Sequence, residues 1–201
     1  FLDTTHARAD GGPPVPGATV ADSAGGGMQA VIAILAALVR RSTTGEGAYL
    51  DVAAADGVVA LMSLAIDEYL ATGVVPAPRH GLLTGKYACY DLYEAADGKW
   101  LSVAAIEPHF WANLCRLLGC EQWTAQQMED DAQDAIRAAL RAAFKTKSRD
   151  EWTAVLMEAD TCVAPVLSVP ELVATPHFAA RGAFAEADHP EAGHFRQTAP
   201  V

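Results

Sequence analysis

With 201 residues, 51% of them apolar and 19% charged, the chain is long enough for one good-sized core or two small ones. Its formal net charge of −11 comes from dispersed acids with no Lys/Arg stripe, which excludes the electrostatic footprint of a nucleic-acid partner. No apolar run approaches the roughly 20 residues of a membrane span; the longest, Val31 to Val39, is closed by Arg40-Arg41 and reads as a buried helix, so no membrane partner is expected.

Residues 1–20 carry Gly11-Gly12-Pro13-Pro14 and Pro16-Gly17, which is loop chemistry. From Gly27 the positions Met28, Val31, Ile32, Leu35, Leu38 and Val39 recur at helical spacing, and Thr44-Gly45-Glu46-Gly47 stops that helix. Tyr49 to Val52 reads as a short strand, and 54–71 as a helix ending at Thr72-Gly73. Pro76, Pro78, Gly81 and Gly85 then mark a boundary or hinge over 73–86. Tyr87 to Tyr93 and Trp100 to Ala104 predict a hairpin around Asp97-Gly98. Helices are predicted over 108–118, 124–145 and 148–158, an edge strand over 162–167 because of Pro165, and mostly helix over 169–180. From Ala183 the chain reads as loop and extended segments. The pattern predicts an α/β protein: residues 1–72 belong to a larger α/β body, 73–171 form a smaller α+β unit, and 172–201 link back to the larger body.

Cys89, Cys115, Cys120 and Cys162 have neither Cys-x-x-Cys spacing nor the density of a disulfide scaffold, so they read as core thiols of a reducing cytoplasm. The chain opens on Phe1 without an initiator Met and shows no secretory leader, so it reads as a processed or partial product. The six histidines are widely separated and no metal site is expected; His189 and His194 lack the helical i, i+4 frame of a zinc site and read as a solvated loop.

Two acids stand at element junctions. Asp22 precedes Gly25-Gly26-Gly27 and a long apolar helix. As a helix cap it would accept from unpaired amides; as a functional acid it would sit where helix amides also favour a developing negative charge. Three glycines at a helix start sacrifice about 0.8–1 kcal/mol each relative to Ala, and either close approach of a ligand or close helix packing explains that sacrifice. Glu107, before Pro108, either begins a helix or carries function. Tyr90 and Trp111 default to core aromatics.

The segments Val20-Ala21-Asp22-Ser23-Ala24-Gly25-Gly26-Gly27-Met28, Leu35-Ala36-Ala37-Leu38 and Thr44-Gly45-Glu46-Gly47 resemble the family III CoA-transferase superfamily. Tyr90 to Gly98, Val103 to Phe110 and Asp160 to Leu167 look like its α-methylacyl-CoA racemase branch. The resemblance implies inversion of the centre beside the thioester carbonyl of 2-methylacyl-CoA, through an enolate and without metal or redox cofactor, CoA being part of the substrate. It implies that Asp22 is an acid/base opposite a histidine, that Glu107 hydrogen-bonds that histidine, and that Tyr90 belongs to the active site with Gly25, Gly26 and Gly85 against the substrate. In the transferase branch the residue matching Asp22 is a covalent nucleophile. The family histidine lies N-terminal to the region covered here, and His6 is not in its motif. Where racemases show Gly-Gly-Ala-Pro-Tyr-Tyr this chain reads Gly85-Lys86-Tyr87-Ala88-Cys89-Tyr90, which alters the acyl pocket. The resemblance also implies a large domain around a parallel sheet and an interlocked homodimer in which Asp22 and Glu107 meet across subunits.

Overall fold

A computed structural model describes residues 19–199, and the chain divides into two compact units between Lys86 and Tyr87. The sequence reading set that boundary at 72/73. The glycine- and proline-rich stretch instead stays with the first unit, because it folds back on the preceding helix: His80 Nε2 lies 3.1 Å from Glu68 Oε1. Residues 172–199 group with the second unit. The loop reading of 1–18, with His6, lies outside the described residues.

In the first unit one helix runs from Val20 to Thr44. Its opening, Val20–Met28, is wound as a π-helix, and α1 (Gln29–Thr44) continues it. Gly45 ends it in the left-handed conformation (φ 72°), its N–H donating to Arg41 O at 2.8 Å. The sequence started this helix only at Gly27. The earlier start makes one continuous stretch of 25 residues with mean hydropathy 1.5, long and apolar enough to cross a membrane. The expectation that no stretch reaches that length fails for this reason, although a core helix of a soluble protein meets the same criterion. The reading of Val31 to Val39 as buried also fails: α1 has no buried residue, and Val31, Leu35 and Val39 are 55%, 56% and 69% exposed.

Residues 45–53 are exposed and without regular structure, so the strand expected at Tyr49 to Val52 is absent; β-propensity cannot make a strand without a neighbour to complete its hydrogen bonds. Then α2 (Ala54–Leu61) and α3 (Ser63–Thr72) form where one helix was predicted. The break is at Met62 (φ −95°, ψ 6°), whose N–H is shared between Val58 O and Val59 O, both at 3.1 Å. A short 3₁₀ turn, Leu82–Thr84, follows.

The second unit is built on an antiparallel sheet, β1 (Tyr90–Glu94), β2 (Trp100–Ala104) and β3 (Val163–Pro165), in that spatial order. Gly98 (φ 77°) makes the β1–β2 turn, and β3 lies at the edge as its proline required. In the same core α4 (Pro108–Leu118) buries Trp111, Leu114, Cys115 and Leu118 at i, i+3, i+4 and i+7. Residues 124–145 are not one helix: two 3₁₀ turns precede α5 (Gln133–Phe144), the restart falling where Asp130, Asp131 and Asp134 favour a helix N-terminus. The Tyr93 and Phe144 rings stack at 5.0 Å, and Phe144 meets Trp152 of α6 (Arg149–Leu156) edge-on at 5.8 Å. Each such ring contributes about 1.5–3 kcal/mol by burial.

After α7 (Val169–Ala174) and α8 (Pro176–Ala180), the segment read as loop and extended chain is a hairpin, β4 (Phe184–His189) paired with β5 (Gly193–Thr198). His189 and His194 stand at its two sides of the turn, His189 Nδ1 accepting from the Glu191 and Ala192 amides at 3.2 Å each. The protein is thus mixed α/β. Among the described residues both sheets are antiparallel, and the parallel sheet expected of the larger domain does not occur there.

Candidate active site

Asp22 is the third residue of the π-helical segment, whose cap position is Thr19. It therefore does not cap the helix. Its side chain is exposed, and among the described residues its carboxylate has no hydrogen-bond or ion-pair partner. Its own helix borders a shallow groove of about 460 Å³ lined by Ser23, Gly27, Met28, Val31 and Ile32.

The glycines beside it are used for helix packing. Gly25 is buried, and a Cβ there would lie 2.7 Å from Ala54 O and 3.0 Å from Val58 Cγ2. Gly57 of α2 meets it reciprocally: a Cβ on Gly57 would lie 2.0 Å from Gly25 O. Gly26 faces Ala54, with 3.4 Å to its Cβ. Of the two explanations for the glycine run, close helix packing is the one observed at Gly25 and Gly26. Gly57 was not singled out from the sequence; an Asp-Gly pair inside an apolar helix was the available signal.

The same α2 leads to a cavity. Three residues beyond Val58, about 4.5 Å of helical rise, Leu61 begins a wall completed by Met62, Leu64, Leu82 and Leu83 around about 630 Å³. The His80–Glu68 pair is set in that largely apolar wall, where the Thr84 hydroxyl is bonded to the Gly81 backbone. Gly85, at φ 87°, is buried and closes the 3₁₀ turn that supplies Leu82 and Leu83, so its place is in the turn next to the cavity.

In the second unit Tyr90 opens β1 opposite Ala104, the last residue of β2. Glu107 follows Ala104 by three residues, so the sheet brings Tyr90 and Glu107 to one end of the β1–β2 ladder. Glu107 stands at the cap position of α4 with φ −69° and ψ 138°, yet its side chain makes no capping bond and has no partner among the described residues. The carboxylate is exposed while the backbone around it is hydrogen-bonded, Glu107 O accepting from the Trp111 amide at 3.1 Å. Gln127 Nε2 donates to Ala105 O at 2.9 Å and Ile106 O at 2.7 Å. Gln133 in turn donates to Gln127 O (3.2 Å) and Glu129 O (2.9 Å) and accepts from the Ala88 amide (2.8 Å). These two glutamines tie the approach to Glu107 to the approach to Tyr90. Sequence reasoning missed both, since nothing local marks a side chain whose backbone partner lies 21 or 22 residues away, as for Gln127, or 45 away, as for Gln133 and Ala88. Trp111 is a core residue, its indole N–H donating to Trp123 O at 3.2 Å.

The thiols nearby do not offer nucleophiles. Burial pushes the Cys89 thiol up and that of Cys115 to about 12, so neither holds a thiolate near neutrality. Among the described residues no three His, Cys, Asp or Glu side chains converge as metal ligands.

The sequence profile of CoA-transferase family III matches residues 2–201. The chain belongs to CoA-transferase family III. It is 32% identical over 179 residues to the alpha-methylacyl-CoA racemase of Homo sapiens, covering 88% of this chain and 47% of that protein. It is also 32% identical over 193 residues to the succinyl-CoA:mesaconate CoA-transferase of Haloarcula marismortui, covering 92% of this chain and 47% of that one. The chain spans about half the length of these curated family III relatives. A CaiB/BaiF family protein from Brucella suis superposes with a TM-score of 0.71 at 26% identity, over 100% of this chain and 57% of that one. The Rv3272 protein of Mycobacterium tuberculosis superposes at 0.80 with 23% identity, over 99% and 53%, and shows the shared fold.

Proposed function

We propose that the protein of which this chain is part racemises 2-methylacyl-CoA thioesters. The observation that carries the reading is the Asp22 carboxylate, held in the first turn of a helix, exposed and unpartnered among the described residues. Either Asp22 or a histidine takes the proton from the carbon beside the thioester carbonyl. The C–H electron pair moves into the C–C bond as charge develops on the carbonyl oxygen. The other group then returns a proton to the opposite face, and the centre is inverted with no net oxidation. Helix-terminal amide groups stabilise the enolate oxygen, the Asp22 amide being the donor assigned here. The histidine comes from the part of the family fold that this chain does not span; Glu107 orients it and Tyr90 lines the site. Gly25 and Gly26 shape the site by letting α2 approach, Gly85 shapes the turn at the cavity, and the apolar cavity beyond α2 takes the acyl chain. The site forms between the subunits of a homodimer, so that Asp22 and Glu107 meet across it. No metal or redox group takes part in the step.

The second reading is CoA transfer, favoured by the similarity to the mesaconate CoA-transferase. There an Asp22 oxygen attacks the thioester carbonyl, the C–S bond breaks and CoA leaves as the thiolate. One experiment separates the two on the full-length protein. Racemisation gives α-deuterium incorporation from D₂O that falls by at least ~10²-fold in Asp22→Asn, with no hydroxylamine-trappable acyl-enzyme. Trapping of an acyl group on Asp22 without α-exchange overturns racemisation in favour of transfer. Unchanged turnover in Asp22→Asn overturns both.

A further inference from the structure

The cavity of the first unit is lined mostly by leucine, methionine and alanine side chains of α2, α3 and the 76–84 segment; the Thr84 hydroxyl is taken up by the Gly81 backbone, which leaves the His80–Glu68 pair as the polar feature that an acyl chain does not need. His80 is half-buried with its side chain 27% exposed, and Glu68 engages its Nε2 at 3.1 Å. The His80 backbone is fixed as well, its N–H donating to Ala77 O at 3.0 Å. The imidazole is therefore held with Nδ1 as its second hydrogen-bonding nitrogen, in a wall formed largely by Leu61, Met62, Leu64, Leu82 and Leu83. The volume, about 630 Å³, falls within the roughly 300–1,000 Å³ usual for small-molecule sites, in which a few placed polar groups set specificity.

A plain alkyl chain in this cavity presents methylenes to the imidazole and the carboxylate and strips water from both without replacing its hydrogen bonds, which is unfavourable. A chain carrying a hydroxyl restores one of them. A site with a fixed polar group discriminates against the ligand that lacks its partner. We propose that His80, positioned by Glu68, reads a hydroxyl on the acyl chain, so that hydroxylated 2-methylacyl thioesters are preferred over their plain alkyl counterparts. This rests on the acyl chain occupying the cavity under the function proposed above. His80 is a specificity residue: it touches the chain far from the reacting carbon and takes no part in the proton transfer.

The test uses the full-length protein with a plain 2-methylalkanoyl-CoA and a series of the same chain length in which one hydroxyl is walked along the chain. Both kcat/KM and the dissociation constant by calorimetry are measured for each. One member of the hydroxylated series is expected to be favoured by about two- to tenfold, the range of a single net hydrogen bond. His80→Phe abolishes that ratio, which is read as the quotient of the two substrates' constants so that any change common to both cancels; His80→Gln retains part of it, and Glu68→Gln lowers it by loosening the ring. Purely structural damage moves both substrates together and leaves the ratio intact, which overturns the inference. No discrimination at any hydroxyl position, with the plain thioester turned over normally, overturns it while the racemase reading stands. Discrimination in binding that follows His80, with no turnover of any thioester, supports the inference and sinks the chemistry proposed for Asp22 instead.

Discussion

Replacing Gly57 by alanine probes the contact that sets the Asp22 helix against α2. A Cβ on Gly57 would fall 2.0 Å from Gly25 O and 2.6 Å from both Gly25 C and Cα. All three are backbone atoms, so no rotamer change relieves the overlap. Restoring ordinary contact at about 3.4 Å requires the two helices to part by about 1.4 Å, or α2 to rotate by as much. Overpacking of this kind costs about 1–3 kcal/mol, against a gain of about 0.5–1 kcal/mol for alanine over glycine inside a helix. The net expectation is destabilisation, read by thermal or urea denaturation of the full-length protein as a lower midpoint. Turnover falls further than stability under native conditions, since a displacement of about 1 Å at a reacting group costs up to ~10²-fold. Gly27→Ala is the milder comparison: its Cβ would meet only Asp22 O, at 3.3 Å against 2.0 Å at Gly57, so its midpoint should lie above that of Gly57→Ala. Should Gly57→Ala be as stable as the parent, with Gly27→Ala the damaging change, the packing account of the glycine run is wrong.

Three further outcomes follow from the second unit. Glu171 accepts from both Arg149 terminal nitrogens (2.9 and 2.8 Å), Lys99 Nζ (2.8 Å) and the Ser168 amide (2.9 Å), and the Arg149 guanidinium first of all holds its carboxyl well below the usual range. The folded chain therefore binds this proton less readily than the unfolded one. Its contribution is complete above the unfolded value of about 4.3 and is lost as pH falls below it, so Tm declines more steeply with acidification in the parent than in Glu171→Gln. Gln127→Met leaves the Ala105 and Ile106 carbonyls without their donor and should cost about 1–3 kcal/mol, with a turnover loss larger than in a surface control if Glu107 is functional. Cys162 is exposed while Cys89, Cys115 and Cys120 are buried; of these four, native maleimide labelling followed by peptide mass analysis should modify Cys162 alone, and labelling of Cys115 would refute its burial.

Local chemistry was legible in the sequence where one short stretch decides the outcome. Pro108 at a first helical position and Gly119 past the end (φ 65°) delimit α4, and Asp97-Gly98 sets the turn between β1 and β2. Those signals survive because a proline ring or a left-handed glycine acts through its own backbone, whatever packs around it. The family-bearing blocks around Asp22, Tyr90 and Glu107 were legible for the same reason: they are contiguous. Tertiary structure alone decided the rest. The seat of Gly25 on Gly57, the bonds from Gln127 to the chain before Glu107, and the clasp of His80 on Glu68 join residues 12 to 32 positions apart. None of these residue types announces such a partner. Tyr49 to Val52 has the propensity of a strand and no neighbour to pair with, while 184–198 forms a hairpin because its two halves find each other in register. Propensity is a property of a segment, but hydrogen-bond satisfaction and close packing belong to pairs of segments, and only the folded chain brings those pairs together.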